Sequence, residues 1–348
     1  MHLNVSPLEL HVSTPFQISR GTQTVAKNLF IELAHDGLTG WGEGAPDGGG
    51  YYGENRETMR VALQTLLAAV QDDPLCIEES THRMSRVYYH GHGAAKAAID
   101  MALHDMAAKV LGVPLYRMLG LSPSQAPPTS FTIAIEAPEV MAQRAAAAAD
   151  FPVLKLKVGT ENDEEIIRRV RAATHARIRV DANGAWSAKD AVRHIHAMQE
   201  YDIELIEQPV PASDVEGLRF VRDRVSIPVV ADESCVTIHD VARVADAVDG
   251  INIKLAKCGG IRNAIAMIHA AREHHLLVML GCMISSSLSI TAAAHLASLT
   301  DFVDLDGALL LADDPFNGVT FEHGRLVLPE RSGLGVESRS PDFPQISD

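Results

Sequence analysis

The sequence has 348 residues, of which 47% are hydrophobic and 22% charged, and its formal net charge is −15 at pH 7. This composition is typical of a globular protein with one large domain and a smaller one, and the negative charge argues against nucleic-acid partners and anionic membranes. No apolar run approaches the roughly 20 residues that span a bilayer. The N-terminal "MHLNVSPLEL" lacks a secretory-signal pattern, and the four cysteines lack metal-binding spacing. We therefore expect a cytoplasmic protein with reduced thiols.

The residue pattern of the N-terminal part predicts strands followed by helices. Val5–Val12 and Asn28–Ala34 are typical of strands, and helical patterns cover Asn55–Val70 and Gly93–Leu111. The glycine-rich "APDGGGYYGE" between the strands and the helices indicates a mobile loop. Because "SPSQAPPTS" then indicates a linker, residues 1–124 are predicted to form one domain.

After the linker, strand-like apolar runs alternate with helix-length segments. The eight runs are Phe131–Ile135, Val153–Val158, Ile178–Asp181, Ile203–Glu207, Pro228–Asp232, Ile251–Leu255, Leu276–Met279 and Phe302–Asp306. Eight such repeats favour parallel βαβ units closed into a barrel over residues 125–317. An open doubly wound sheet is the alternative, although no GxGxxG follows the first strand. The later "VTFEHGRLVL" predicts a hairpin, and we expect residues 318–348 to return to the sheet of the first domain.

Three successive strands of the predicted barrel end in an acid. Asp181, Glu207 and Asp232 each follow an apolar run, and the C-terminal strand ends of a barrel open onto one face. One such acid would most simply cap the next helix or face solvent. Three in register indicate a site for a hard divalent cation, and an all-oxygen set suits Mg²⁺.

Lysines accompany these acids on two further strands. The alternating "VLKLKVG" places Lys155 and Lys157 on one face of the second strand, and "INIKLAK" places Lys254 with Asn252 on the sixth. These strands lie on opposite sides of the barrel, with the acids between them. A lysine near a second ammonium and a dication can lose its proton and act as a base. The alternative, a lysine paired with a barrel carboxylate, applies most to Lys155.

This pattern resembles the enolase superfamily. The matching motifs are "KLK" (155–157), "DAN" (181–183, including Asn183), "EQP" (207–209), "ADES" (231–234), "NIKLAKCGG" (252–260) and the helical segment 97–120, and together they span nearly the whole chain. The paired lysines are similar to the muconate-lactonizing branch. The resemblance implies a (β/α)7β barrel under an α+β cap made by the N-terminus and the C-terminal tail. It also implies one Mg²⁺ per subunit, with Mn²⁺ as a substitute, and proton removal next to a carboxylate to form an enediolate.

The eighth strand bears on the substrate. In "FVDLDG", Asp304 and Asp306 alternate onto one face with no cation nearby in sequence, which suits a substrate ammonium and repels a second carboxylate. Such an Asp-x-Asp resembles the dipeptide epimerases, although two solvated acids in a loop are the alternative. "GCMISSSLSI" is also similar to that group, with Met283 as pocket wall. It departs at Ser285, a further candidate substrate contact, where glutamate is usual, and this leaves the preferred dipeptide open.

Two cap segments are implied by the resemblance to select the substrate, residues 15–27 and residues 45–56. In them, Arg20 could pair with an acidic group, and Tyr51 and Tyr52 could close over the substrate. A surface arginine and loop aromatics are equally compatible with the sequence.

The sequence therefore predicts a Mg²⁺-dependent dipeptide epimerase that inverts the α-carbon of the C-terminal residue by two-base 1,1-proton transfer, with L-Ala-Glu or another dipeptide as substrate. The alternatives are an N-acylamino acid racemase, an o-succinylbenzoate synthase and, more remotely, a non-catalytic binding subunit. A homo-oligomer is expected because members of the family often form one.

Overall fold

A computed structural model describes residues 1–48 and 50–340. Gly49, in the predicted mobile loop, and residues 341–348, in the predicted returning tail, lie outside the described residues. Among the described residues, no helix combines the length and apolar character that crossing a membrane requires.

The N-terminal region is an antiparallel sheet covered by helices. Its strands are β1 (His2–Ile18), β2 (Gly21–His35) and β3 (Leu38–Gly44), in the order β1-β2-β3. The helices that follow are α1 (Arg56–Leu67), α2 (Ile77–Val87), α3 (Gly93–Val110) and α4 (Leu115–Met118). Helix α3 is buried on nearly all its faces, since it packs against this sheet and also against the barrel. A Cβ added to Gly42 on β3 would lie 2.0 Å from the Ala98 carbonyl oxygen, so glycine permits this close packing.

The central part is an eight-stranded parallel barrel, as predicted. Its strands, in chain order and in spatial order, are β4 (Phe131–Ile133), β5 (Val153–Lys157), β6 (Arg177–Asp181), β7 (Ile203–Glu207), β8 (Val229–Ala231), β9 (Gly250–Lys254), β10 (Leu277–Gly281) and β11 (Phe302–Asp304). A parallel bridge between Thr129 and Val303 brings the start of β4 beside β11 and closes the ring. The alternative of an open doubly wound sheet was therefore wrong.

Helices surround the barrel and cover its outer face. They are α5 (Pro138–Ala147), α6 (Asp163–Ala173), α7 (Ala188–Met198), α8 (Val215–Arg222), α9 (Ile238–Val244), α10 (Leu255–Cys258), α11 (Ile261–Glu273) and α12 (Ser287–Ala294). Short 3₁₀ turns occupy Pro123–Gln125, Gln199–Tyr201, Ala297–Leu299 and Gly307–Leu310. Helix α10 begins directly at the end of β9, so the chain turns from strand to helix within the site described below.

The C-terminal segment forms short strands, β12 (Phe316–Asn317), β13 (Thr320–Glu322), β14 (Arg325–Val327) and β15 (Glu337–Ser338). The predicted hairpin is present as β13 and β14. Among the described residues this hairpin does not join the N-terminal sheet as expected: it forms a separate two-stranded sheet, and the Gly324 carbonyl accepts a hydrogen bond from the Thr129 amide beside the barrel. The C-terminal segment contacts the N-terminal region on both sides of the hairpin: the centres of the Phe316 ring and of the Phe30 ring of β2 lie 5.7 Å apart, and the Leu334 amide donates to Asp105 of α3.

Candidate active site

Three acids meet at the C-terminal end of the barrel. Asp181 and Glu207 end neighbouring strands and are register partners, and Asp232 follows β8. One carboxylate oxygen of each lies within 4.8 Å of the others, and all three residues are at most 1% exposed. Burial and the charge of Asp181 raise the pKa of Glu207. The pKa of Asp181 is instead lowered, because Lys157 and Lys155 outweigh its burial.

Four buried lysines surround the three acids. Lys155 Nζ lies 2.6 Å from Glu207, 2.7 Å from Asp304 and 3.2 Å from Asp181. Burial lowers the pKa of Lys155, but these three carboxylates together raise it well above its ordinary value. Lys155 is therefore held charged, as the pairing alternative for this residue anticipated.

The two outer lysines have fewer partners and face open space. Lys157 Nζ lies 2.6 Å from Asp181 Oδ2, and Lys254 Nζ lies 2.7 Å from Asp232 Oδ2. Both line the main cavity. Strands β5 and β9 are four positions apart in the eight-stranded ring, so the two amines approach the cavity from opposite sides of the acids.

The fourth lysine, Lys257, was not singled out in the sequence. Its Nζ lies 2.5 Å from Asp232 Oδ1, and it also donates to the carbonyls of Asp232, Asn252 and Cys235. The signal that could have found it is its position three residues after Lys254, where a strand end turns directly into a helix.

The donor set fits a hydrated divalent cation. Three carboxylates within reach of one point form the ligand set that Mg²⁺ prefers. Two further buried acceptors beside them, Asn183 Oδ1 and Glu233 Oε2, have no hydrogen-bond partner among the described residues. Such acceptors suit the water ligands that Mg²⁺ commonly retains. Asn252 donates to Glu207 Oε1 at 2.7 Å and so orients that carboxylate.

The cavity above the acids has a volume of about 520 Å³, enough for a small peptide. Asp304 and Asp306, the two acids at the end of the eighth barrel strand (β11), both line it. Asp304 is paired with Lys155 and accepts from Ser130 at 2.6 Å, so the structure supplies the cation that the nearby sequence lacked. Asp306 accepts from the Thr132 amide at 2.5 Å, and burial together with Asp304 raises its pKa to about 7.

The tip of the β1–β2 hairpin reaches the barrel mouth. Arg20 Nη1 lies 2.6 Å from Glu233 Oε1 and 2.8 Å from the Asn183 carbonyl, and its guanidinium lies 4.4 Å from the Tyr51 ring centre. Arg20, Tyr51 and Tyr52 all line the cavity. Glu233 was missed in the sequence, although it directly follows Asp232.

The two candidate residues in the loop after β10, the seventh barrel strand, differ in their position relative to the cavity. Met283 lines the cavity, as predicted for pocket wall. Ser285 is 1% exposed, does not belong to the cavity lining, and donates to the Met283 carbonyl at 3.1 Å. The expected contact between Ser285 and substrate therefore has no support in this geometry.

Comparison with known proteins places this architecture in a family. Residues 3–120 match the "Mandelate racemase / muconate lactonizing enzyme, N-terminal domain" and residues 139–342 match the "Enolase C-terminal domain-like" model. The chain belongs to this family, within the enolase superfamily.

Three relatives illustrate its diversity. The chain is 37% identical to the L-Ala-D/L-Glu epimerase of Bacteroides thetaiotaomicron over 97% of this chain and 88% of that protein. It is 31% identical to a dipeptide epimerase of Cytophaga hutchinsonii, solved with Mg and D-Ala-L-Val, with a TM-score of 0.93 over 99% and 97% of the two chains. An N-succinyl Arg/Lys racemase of Bacillus cereus is 30% identical, with a TM-score of 0.94 over 99% and 97%.

Proposed function

We propose that this protein is a Mg²⁺-dependent dipeptide epimerase that inverts the α-carbon of the C-terminal residue. The observation that carries the proposal is the placement of Lys157 and Lys254 on opposite sides of the three acids. Inversion needs one group to remove a proton from one face and another to return a proton to the opposite face.

Asp181, Glu207 and Asp232 would hold the cation, which the carboxylate of the C-terminal residue would join. When bound, the cation would neutralise the charge that develops on that carboxylate. It would also take over the acids that now pair with Lys157 and Lys254, so both amines would be held less strongly. One of Lys157 and Lys254 removes the α-proton, and the other protonates the opposite face. Lys155, held charged by three carboxylates, stabilises negative charge and is a poor base.

The strand-eight acids favour a free dipeptide over an acylated amino acid. Lys155 neutralises Asp304, whereas no lysine or arginine in the described residues forms an ion pair with Asp306. A substrate ammonium would supply that missing charge, and an N-acyl group would not. The racemase neighbour keeps an N-acylamino acid racemase as the in-family alternative, with o-succinylbenzoate synthase behind it; a non-catalytic barrel is the remote alternative.

The test is α-proton exchange in D₂O, followed by mass spectrometry over libraries of free and N-acylated dipeptides. We expect deuterium at the C-terminal residue of free dipeptides. In Lys157→Ala and Lys254→Ala, each variant should retain exchange for one stereoisomer only, with opposite preferences. The exposed Lys189→Ala on α7 is the control and should behave as wild type.

Three results would contradict the proposal. Turnover that survives removal of both lysines refutes the two-base scheme. Exchange restricted to acylated substrates favours the racemase, and absence of exchange from both libraries favours a binding protein.

We further propose one cation per subunit with Mn²⁺ as a substitute, a cytoplasmic location and a homo-oligomer. We also keep the predicted division into residues 1–124 with 318–348 and residues 125–317. The family membership supports these proposals, and metal analysis, mass measurement in solution and limited proteolysis test them.

A further inference from the structure

Arg20 is the one arginine among the described residues that line the cavity, and its charge is already paired. Its ion-pair partner Glu233 has a side chain only 2% exposed, and the pair measures 2.6 Å. The same nitrogen donates to the Asn183 carbonyl, and the guanidinium lies over the Tyr51 ring. Releasing Arg20 toward an acidic ligand would leave Glu233 buried without a counter-charge, which is strongly unfavourable.

The position of this pair identifies the part of the substrate that would meet it. Glu233 directly follows Asp232, and Asn183 lies two residues beyond Asp181, so Arg20 is beside the proposed cation ligands. Under the proposed function, the substrate carboxylate would lie at that end and the substrate ammonium near Asp306. Arg20 therefore borders the space for the side chain of the C-terminal residue.

The remaining wall offers little to an acidic side chain. Among the described residues that line the cavity, the one basic residue besides Arg20, Lys155, Lys157 and Lys254 is Lys27. Lys27 is exposed and lies opposite Glu9 across the β1–β2 ladder, so solvent screens its charge. Asp47 and Glu233 add negative charge. The other wall residues include Phe16, Ile18, Val25, Tyr52, Met283 and Leu310.

We infer that the cavity discriminates against dipeptides whose C-terminal residue has an acidic side chain, and that Arg20 is a structural cation. This inference rests on the proposed epimerase function and sharpens it. An acidic side chain would lose its hydration on entering the cavity, where Arg20 is already paired with Glu233 and solvent screens the charge of Lys27.

The experiment compares L-Ala-L-Glu, L-Ala-L-Gln and L-Ala-L-Met, whose C-terminal side chains differ in charge and little else. The same three C-terminal residues are also tested after the N-terminal residue that the library favours. We expect kcat/KM for the glutamine and methionine dipeptides to exceed that for the glutamate dipeptide by about tenfold or more. A preference for glutamate overturns the inference, and this wild-type comparison does not depend on any variant folding.

Two variants then test the cations directly. Because Arg20 is structural, Arg20→Met should lower kcat/KM for the glutamate and glutamine dipeptides by the same factor and leave their ratio unchanged. Lys27→Met should also leave the ratio unchanged. A selective loss of the glutamate dipeptide in either variant identifies a receptor for acidic side chains and overturns the inference. If none of the dipeptides undergoes exchange, the proposed function is refuted instead. The failure of the inference and the failure of the proposed function are therefore distinguishable.

Discussion

Lys257 provides a sharp test of how the buried charges hold the site together. Its side chain is fully buried, and it donates to Asp232 Oδ1 at 2.5 Å and to the carbonyls of Asp232, Asn252 and Cys235 at 2.7, 2.9 and 3.1 Å. Lys254 binds the other oxygen of the same carboxylate, but it lines the cavity and has that single side-chain hydrogen bond. The two lysines therefore share a partner and differ in their surroundings.

We expect Lys257→Met to destabilise the metal-free protein by about 3–5 kcal/mol, because removal of one member of a buried ion pair leaves the other uncompensated. Three carbonyls also lose a donor. At roughly 2 °C per kcal/mol for a chain of this size, the midpoint of thermal unfolding should fall by about 6–10 °C. Lys254→Met is the matched control and should cost clearly less, since Asp232 then keeps Lys257.

The assay is urea unfolding followed by tryptophan fluorescence, with Trp41 in the N-terminal sheet and Trp186 in the barrel as probes. Thermal unfolding by circular dichroism gives an independent midpoint. If Lys257→Met loses less than about 1 kcal/mol, or no more than Lys254→Met, the argument from buried ion pairs is refuted.

Two further predictions concern the contact between the N-terminal region and the rest of the fold. Burial raises the pKa of Glu43 from 4.5 to about 7, although Ser286 and Asn28 donate to it. Protonated Glu43 therefore contributes stability that is present below pH 4.5 and is lost as the pH rises through about 7, on the order of 3 kcal/mol. Unfolding free energies of wild type and Glu43→Gln should diverge over this range, and parallel pH profiles would contradict the assignment. Gly42→Ala should cost about 1–3 kcal/mol in urea unfolding, because the added Cβ meets the Ala98 carbonyl; an unchanged midpoint would show that the sheet and α3 separate freely.

The barrel was predictable because its strands are short apolar runs separated by helix-length segments, and this alternation can be recognised in a single sequence. The predicted strand ends differ by a few residues from the observed ones where the chain leaves the barrel. The eighth run was predicted to extend to Asp306, but β11 ends at Asp304 and a 3₁₀ turn begins at Gly307. The hairpin was predicted correctly and its destination was not, because the Thr129 contact that fixes it is distant in sequence.

The acids and outer lysines were visible for a related reason. Parallel register places successive strand ends side by side, as the ladder from Lys157 to Asp181 to Glu207 shows. Lys257 and Glu233 were missed because they lie in a helix and a loop, where alternation gives no direction to the side chain. The pairing of Lys155 with Asp304 joins residues 149 positions apart and depends on the ring closing.

The charges at the site bear directly on the two-base mechanism. Four carboxylates, Asp181, Glu207, Asp232 and Asp304, are in contact with the four lysines already described, so this buried set is neutral. A bound dication and a substrate carboxylate would together add one positive charge, while Asp306 would match a substrate ammonium. Because uncompensated charge is costly in a buried site, the added charge favours loss of one proton from a lysine. Lys155 and Lys257 are each held by several acceptors, so the proposed mechanism would draw that proton from Lys157 or Lys254. In the proposed mechanism one of the two lysines would be neutral and the other charged, so that a proton could be taken on one face and returned on the other.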